Sequence, residues 1–379
     1  MVGFSPILPL LAIGLGAFLA YVNGSNDVSK GIATLVGSGT TSYRGALAWG
    51  TFCTGLGALA GARLAGSMVQ TFGNGLFLSG TTPTFAAAIA IISGASVWVV
   101  LATRTGLPVS TTHAIVGSLA GVALVAYGPH AVSWGTLVQK IALPLVASPL
   151  VALATMSALI RASRRALADC ACVAIEPAPE AAAIARGEGR PVLTSALQQL
   201  RLTMATSAEC AAASVPQALS LRLEYLHWLT SGATSFARAL NDAPKIVALL
   251  LVASSLAGAM QGIETLFCVV ALGMVVGSFI GGRRVTVVLA ERVTPMDHRE
   301  GFLANATTAA LVGAGAVFGL PMSTTHVASA AIIGIGVNGA AGQTNGRTVR
   351  DMILAWLVTV PLSALLGIGA FEVARVWVP

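Results

Sequence analysis

Gly106-Leu-Pro-Val-Ser-Thr-Thr-His113 recurs in the second half of the chain as Gly319-Leu-Pro-Met-Ser-Thr-Thr-His326, with seven identities in eight positions. A second element precedes each copy: Asn23-Gly-Ser-Asn-Asp-Val-Ser-Lys30 in the first half and Arg238-Ala-Leu-Asn-Asp-Ala-Pro-Lys245 in the second. From the asparagine of Asn-Asp to the first serine is 84 positions in the first half and 82 in the second. Two elements in the same order at nearly the same spacing indicate that the chain duplicates one structural unit.

The composition requires that most of the surface faces lipid. Of 379 residues, 55% are hydrophobic and only 9% are charged, whereas soluble domains carry about 25% charged residues. Apolar segments of roughly 20 residues, the length that crosses a bilayer, recur along the chain. They lie near residues 6–22, 45–62, 84–102, 111–127, 137–160, 226–240, 245–259, 264–280, 302–318, 323–337 and 352–377. We therefore predict an all-α polytopic membrane protein with two repeats, some of whose segments are re-entrant or discontinuous.

A charged stretch separates the two repeats. Arg161, Arg164 and Arg165 follow an apolar segment directly, as in cytoplasmic loops under the positive-inside rule. The net charge of +7 therefore indicates membrane flanks rather than a nucleic-acid patch. Five apolar segments precede this stretch, and an odd number of crossings would invert the second repeat. The predicted division is membrane repeat 1 over 1–160, a cytoplasmic connector with a surface helix near 194–212 over 161–221, and membrane repeat 2 over 222–379.

Each Asn-Asp element places a carboxylate at membrane depth. Asp27 is the only acidic residue among the first 168. An intramembrane carboxylate costs about 2.5–3.5 kcal/mol on insertion scales and is a functional hypothesis by default. The alternative, a helix cap or a simple ion pair, is weakened because Asp242 repeats the pattern. Lys30 and Lys245 follow three residues later, on the same helix face. They form either internal ion pairs or ammonium groups in the place of a metal cation.

Both elements are predicted to interrupt helices. Asn23-Gly-Ser25 is expected to break the first segment, with Asn26 capping a new helix near 27–37. Pro244 fits the first turn of the matching helix in the second half. Broken helices of this kind mark substrate and ion sites in transporters.

The Gly-Leu-Pro-x-Ser-Thr-Thr-His element is also predicted to interrupt a helix. Its glycine and proline end one segment, and Ser110 or Ser323 caps the next. Free N–H groups of that first turn, together with the threonine hydroxyls, would bind a tetrahedral oxyanion. A single copy could be an ordinary cap, but two copies favour a site. His113 and His326 either relay protons or hold the loop by hydrogen bonding to a carbonyl, and we favour the second role.

On these residues the chain resembles the inorganic phosphate transporter family, which includes sodium–phosphate and proton–phosphate symporters. Family members carry Gly-x-Asn-Asp-x-x-Asn-Ala and Pro-x-Ser-x-Thr-His motifs in each repeat. The second motif matches here in both halves, and the first becomes Gly24-Ser-Asn-Asp-Val-Ser-Lys-Gly31 and Leu240-Asn-Asp-Ala-Pro-Lys245. The resemblance implies inverted repeats, a homodimer, and a multi-pass protein of the cell membrane with a cytoplasmic central loop. Phosphate and a coupling cation, H⁺ or Na⁺, are the implied ligands, and neither a resident metal nor another cofactor is expected.

The resemblance also implies two sets of site residues. Phosphate binding is expected at Ser110, Thr111, Thr112, Ser323, Thr324, Thr325, Asn26 and Asn241. Cation coupling is expected at Asp27, Asp242, Asn23, Lys30 and Lys245. The two lysines depart from the family, which has asparagine at both positions. Because a fixed ammonium repels Na⁺, we predict H⁺ coupling rather than Na⁺ coupling.

The predicted function is secondary active transport of phosphate by cation symport. Uptake of an anion against an inside-negative potential costs about 2.3 kcal/mol per charge per 100 mV, which favours symport over a passive anion channel. Sulfate or another tetrahedral oxyanion on the same fold is the main alternative. An intramembrane hydrolase built on Ser110, His113 and Asp27 would need one such set rather than two, so enzyme activity is not predicted.

Overall fold

The computed structural model describes residues 7–73, 83–166, 170–177, 198–205, 217–259, 261–338 and 344–378. The helices of the first half are α1 (Ile7–Gly37), α2 (Tyr43–Leu64), α3 (Gly66–Gly73), α4 (Phe85–Thr105), α5 (Thr111–Tyr127), α6 (Trp134–Thr136) and α7 (Leu143–Ala166). A 3₁₀ turn at Pro129–Ala131 and a π-helical stretch at Leu137–Ala142 connect the last of these.

The second half begins after three short strands, β1 (Cys170–Pro177), β2 (Gln198–Ala205) and β3 (Gln217–Arg222). Its helices are α8 (Leu223–Leu256), α9 (Ile263–Gly281), α10 (Arg283–Val287), α11 (His298–Val317), α12 (Thr324–Asn338) and α13 (Gly346–Trp377), with a π-helical stretch at Val288–Arg292 after α10.

Within these described residues, six helical segments are long and apolar enough to cross a membrane. They are α1, α4, Trp134–Ser163, α8, α9 and α13, and the bent pair α2–α3, with a 79° angle, would be a seventh. Large apolar side chains point outward from them, including Val146, Ile280 and Leu357, each at least 65% exposed. An outer surface of this kind requires lipid, so the multi-pass membrane prediction is confirmed.

The helices at the centre are α1 and α8, which pack against each other. Every residue from 22 to 35 in α1 and from 237 to 250 in α8 is buried. These two stretches are equivalent under the repeat, since each residue of the first lies 215 positions before its counterpart. A helix buried on all sides lies inside a bundle. The Asn-Asp elements therefore occupy the interior of the protein.

The predicted breaks at the Asn-Asp elements are wrong. α1 continues through Asn23 and Asn26, and α8 continues through Pro244, so segments 226–240 and 245–259 are one helix. Gly24 serves close packing instead, because a methyl group added there would collide with the main-chain carbonyl of Met274. Small residues allow such close approach of membrane helices. A helix-interior proline is tolerated in membranes because neighbouring groups satisfy the freed backbone.

The predicted breaks at the Gly-Leu-Pro elements are confirmed. α4 ends at Thr105 and is capped by Gly106, whose φ of 78° is left-handed, and α11 is followed by Gly319 with φ 70°. Ser110 Oγ then accepts a bond of 3.3 Å from the His113 N–H, and Ser323 Oγ accepts one of 3.2 Å from His326. The helices that begin there have only 17 and 15 residues, which is short for a span of roughly 20 residues.

The connector contains strands rather than the predicted surface helix. β1 pairs with β2 and β3 in an antiparallel sheet of order β2-β1-β3. β2 falls inside 194–212, where Leu200, Leu202 and Met204 alternate with polar residues or alanine. A period of two belongs to a strand and not to a helix. The all-α prediction therefore holds for the membrane portion only, and residues 167–169, 178–197 and 206–216 lie outside the described structure.

Candidate functional site

Two buried ion pairs lie side by side in the centre of the bundle. Lys30 Nζ lies 2.8 Å from Asp27 Oδ1, and Lys245 Nζ lies 3.1 Å from Asp242 Oδ1. All four residues are less than 5% exposed. The i, i+3 spacing places each ammonium on the helix face of its own carboxylate. The ion-pair interpretation of the two lysines thus describes the geometry.

The second oxygens of the two carboxylates converge on one amide group. Asn23 Nδ2 donates to Asp27 Oδ2 at 2.8 Å and to Asp242 Oδ2 at 3.2 Å. The same nitrogen also lies 3.1 Å from Thr111 Oγ1. The two Asn-Asp elements, 215 positions apart in the chain, therefore meet in one buried cluster.

The threonine elements complete this cluster from both repeats. Lys245 Nζ donates to Thr112 Oγ1 at 2.7 Å, and Thr111 Oγ1 donates to Asp27 Oδ2 at 3.3 Å. From the other side, Asn241 Nδ2 lies 3.5 Å from Thr324 Oγ1. Because these threonines stand in the first turns of α5 and α12, the positive ends of both helices point at the cluster.

Two predicted members take positions at the edge of the cluster. Asn26 donates to Thr103 Oγ1 and to the Leu107 carbonyl, and its own Oδ1 accepts from Lys30 at 2.6 Å. Thr325 donates to the main-chain carbonyl of Val109, at 2.7 Å, and so links the two Gly-Leu-Pro elements. All of the predicted site residues except the two histidines thus lie in or against the buried cluster, with Ser110 and Ser323 capping its helices.

Arg238 belongs to the cluster, and the sequence analysis did not assign it a role. Its side chain is fully buried, with Nη1 donating to Asn23 Oδ1 at 3.1 Å and Nη2 to Thr54 Oγ1 at 2.7 Å. Nε has no hydrogen-bond partner, and no carboxylate among the described residues forms an ion pair with the guanidinium. An arginine inside an apolar segment is itself a signal of function, and this residue was visible as the first position of the second Asn-Asp element.

The charges of the cluster do not cancel. Three basic side chains, Lys30, Lys245 and Arg238, face the two carboxylates, which leaves a formal excess of one positive charge. Burial of an uncompensated ion is costly, so such a cluster attracts an anion. Within the part of the chain that the structure describes, His, Cys, Asp and Glu do not gather in groups of three that could hold a metal.

The rings of His113 and His326 pack against each other, tilted by 42°. Their ring centroids are 4.4 Å apart, and the His326 ring also packs against Trp356, with centroids 4.2 Å apart. Neither ring bonds to a carbonyl among the described contacts, so the expected loop-holding hydrogen bond is replaced by ring packing. His113 Nδ1 and His326 Nε2 are buried without a hydrogen-bond partner.

A cavity of about 600 Å³ lies next to the cluster. Arg104, Arg283 and Arg284 line it, together with Ser25 and Thr103. Thr103 is also the hydroxyl that accepts from Asn26, so the cavity wall reaches the cluster. Positive charge at the mouth of a low-dielectric cleft raises the local concentration of anions.

The model of a family described as "Phosphate transporter family" matches residues 23–367. A putative phosphate permease of Pyrococcus abyssi is 26% identical, over 96% of this chain and 97% of that protein. A chloroplastic inorganic phosphate transporter of Arabidopsis thaliana is also 26% identical, over 96% of this chain and 71% of its own length. A solved structure named as the sodium-dependent phosphate transporter shares the fold, with a TM-score of 0.77, 22% identity and coverage of 98% of this chain and 100% of that chain.

Proposed function

We propose, because this chain belongs to the phosphate transporter family, that it carries inorganic phosphate across its membrane by secondary active transport, with H⁺ rather than Na⁺ as the coupling ion. The observation that carries the proposal is the buried, net positive cluster into which the threonine elements of both repeats point.

The donors of the cluster suit a tetrahedral oxyanion. A helix N-terminus stabilises a nearby anion by about 0.3–2 kcal/mol, and a hydrogen bond to a charged group by roughly 1.5–3 kcal/mol. Removal of water from an ion costs far more than any one of these. Two helix N-termini, the hydroxyls of Thr112 and Thr324, and three basic side chains lie together at the cluster. This concentration of donors supports anion binding at the cluster.

The lysines support coupling to H⁺. Each ammonium already occupies the Oδ1 oxygen of its aspartate, so a Na⁺ ion there would lose a carboxylate ligand and meet a fixed positive charge. Uptake of a monoanion against an inside-negative potential still needs a co-transported cation, because each charge costs about 2.3 kcal/mol per 100 mV. A proton meets this need without a metal site.

Contacts between equivalent residues support two repeats related by a two-fold axis. Asn23 meets Arg238, and His113 meets His326, each with its counterpart in the other repeat. Self-pairing of equivalent positions is what a two-fold axis produces. In the proposed organisation, repeat 1 spans 1–160 and repeat 2 spans 222–379 in inverted orientation, with a cytoplasmic connector at 161–221 and a homodimeric assembly.

The test is uptake of labelled phosphate into proteoliposomes with imposed gradients. We expect saturable accumulation, driven by an acidic exterior, that persists when choline replaces Na⁺. A strict requirement for Na⁺ would overturn the proposed coupling. Failure to accumulate phosphate under either gradient, or transport of sulfate in its place, would overturn the substrate assignment, and non-saturable flux would indicate a channel.

A further inference from the structure

A cavity between α1, α4, α9 and α10 combines three arginines with an apolar wall. It is the cavity of about 600 Å³ that adjoins the central cluster. We propose that it binds an anionic phospholipid, with the phosphate of the headgroup on the arginines and an acyl chain along the apolar wall. This lipid site is separate from the site of the transported substrate.

The basic end of the cavity has no acidic partner. Arg104, Arg283 and Arg284 line it and are exposed, and no acidic side chain is among its described lining. None of the three forms an ion pair in the part of the chain that the structure describes, whereas the exposed Arg63 and Arg375 each pair with a glutamate. A guanidinium presents a rigid fork of donors that matches a phosphate group. Three such groups without acidic partners favour a ligand that bears a phosphate.

The other wall of the cavity is apolar and faces outward. It consists of Phe18, Tyr21, Val22, Val100 and Ile280. Phe18 and Ile280 are 44% and 69% exposed, so the cavity opens where the outer surface meets lipid. Gly281, close to the arginines of α10, packs against Ser25, and Phe18 lies about 10 Å further along α1 from that contact. An inorganic anion has no use for such a wall, whereas a lipid with a charged head and an apolar chain matches both parts of the cavity.

The arginines lie towards the side of the protein that carries the connector. α10, which holds two of them, leads to Ala290, and Ala290 packs against Gly37 at the C-terminal end of α1. Thr40 follows α1 and contacts His227, near the start of α8, where the connector ends. In the proposed organisation the connector is cytoplasmic. Basic pockets between transmembrane helices on that side bind the headgroups of anionic lipids.

A lipid in this cavity would link the ends of two helices. Arg284 Nη1 already donates to the main-chain carbonyl of Arg104 at 2.6 Å, so α10 is tied to the last turn of α4. Thr103, on the cavity wall, accepts a bond of 2.9 Å from Asn26 of the central cluster. A headgroup phosphate held by Arg104 and Arg283 adds a second link between α4 and α10. Because a ligand that binds only the folded state raises its stability, lipid binding should be measurable as thermal stabilisation.

The experiment measures lipid binding to the purified full chain in a neutral detergent. We expect phosphatidylglycerol to raise the thermal unfolding midpoint by several degrees and to remain bound in native mass spectrometry, whereas phosphatidylcholine does neither. Arg104→Gln with Arg283→Gln removes two headgroup donors but keeps the bond from Arg284, because that bond ends on a main-chain carbonyl. In this double variant we expect the apparent Kd for phosphatidylglycerol to rise at least about tenfold, as for the loss of bonds to a charged group.

Arg63→Gln with Arg350→Gln is the matched control, because both arginines are exposed and lie outside the cavity, and we expect it to keep the wild-type Kd. An unchanged Kd in the Arg104 and Arg283 double variant would overturn the inference. So would equal stabilisation of the wild-type protein by phosphatidylglycerol and phosphatidylcholine, since the arginines would then have no part in binding. Inorganic phosphate separates the two sources of a phosphate group: we expect it to leave the lipid bound, and displacement of the lipid by phosphate would make the cavity a site for the free anion instead.

Discussion

Asn23 Oδ1 accepts a 3.1 Å hydrogen bond from Arg238 Nη1, although these two residues are the equivalent positions of the two repeats. The duplicated element thus carries a neutral amide in one half and a cation in the other, and the two meet. The Asn23 amide nitrogen also donates to both aspartates. The Asn23 side chain therefore links the Arg238 guanidinium to both carboxylates through hydrogen bonds. The site is asymmetric in charge even though the repeats are alike in sequence.

Neutralisation of either aspartate is expected to abolish uptake. Asp27→Asn leaves Lys30 without its carboxylate, and Asp242→Asn does the same to Lys245, so each raises the buried excess to two positive charges. Labelled phosphate uptake should fall to the background of empty liposomes while membrane insertion is retained. Glu264→Gln is the control, because Glu264 is 65% exposed and should transport normally. Wild-type rates in both aspartate variants would contradict the assignment.

Replacement of both lysines by asparagine should change the ion requirement. Lys30→Asn with Lys245→Asn leaves one cation against two carboxylates, so the cluster becomes net negative and both Oδ1 oxygens lose their ammonium partner. Hard cations bind oxygen ligands of this kind. We expect phosphate uptake by the double variant to be stimulated by Na⁺, measured against choline. Lys140→Asn changes an exposed lysine and should leave the ion requirement alone. A double variant that transports as well without Na⁺ as with it would refute the role of the lysines.

Removal of the Thr112 hydroxyl is expected to impair phosphate transport more than removal of the Thr105 hydroxyl. Thr112 Oγ1 accepts from Lys245 Nζ at 2.7 Å, so Thr112→Val removes an acceptor from a buried ammonium. Loss of a bond to a charged group corresponds to an effect of about tenfold or more, which should be seen in kcat/KM for phosphate. Thr105→Val is the matched change, since Thr105 bonds only to carbonyls of its own helix in the described contacts. Equal effects of the two variants would argue against a role for Thr112.

Local sequence signals predicted the helix breaks at the Gly-Leu-Pro elements correctly, but they failed at the Asn-Asp elements, where the helices continue. The Gly-Leu-Pro breaks follow from a left-handed glycine, a proline and a capping serine, all within a few residues. The Asn-Asp elements carry residues that favour caps and turns, but their side chains are satisfied by distant partners, such as Thr111 and Asp242 for Asn23. These tertiary hydrogen bonds keep α1 helical, and local helix propensity contains no information about them.

The role of Arg238 was hidden for the same reason. Its position in an apolar segment was visible, but its hydrogen bonds to Asn23 and Thr54 depend on which side chains the fold brings together. The strand β2 is a different case, because the alternation of Leu200, Leu202 and Met204 was present in the sequence. We predicted a surface helix there, and the period of two is the better guide.

Close packing of α1 against α9 supplies a stability prediction that is independent of transport. A methyl group at Gly24 would collide with the Met274 carbonyl, whereas one at Gly14 would meet open space. Overpacking costs typically 1–3 kcal/mol, so Gly24→Ala should lower the thermal unfolding midpoint in detergent by several degrees, and Gly14→Ala should not. Both substitutions lie in α1 and remove the same conformational freedom, so their difference isolates the contact. Matching midpoints for the two variants would show that α1 and α9 are not packed at Gly24 as described.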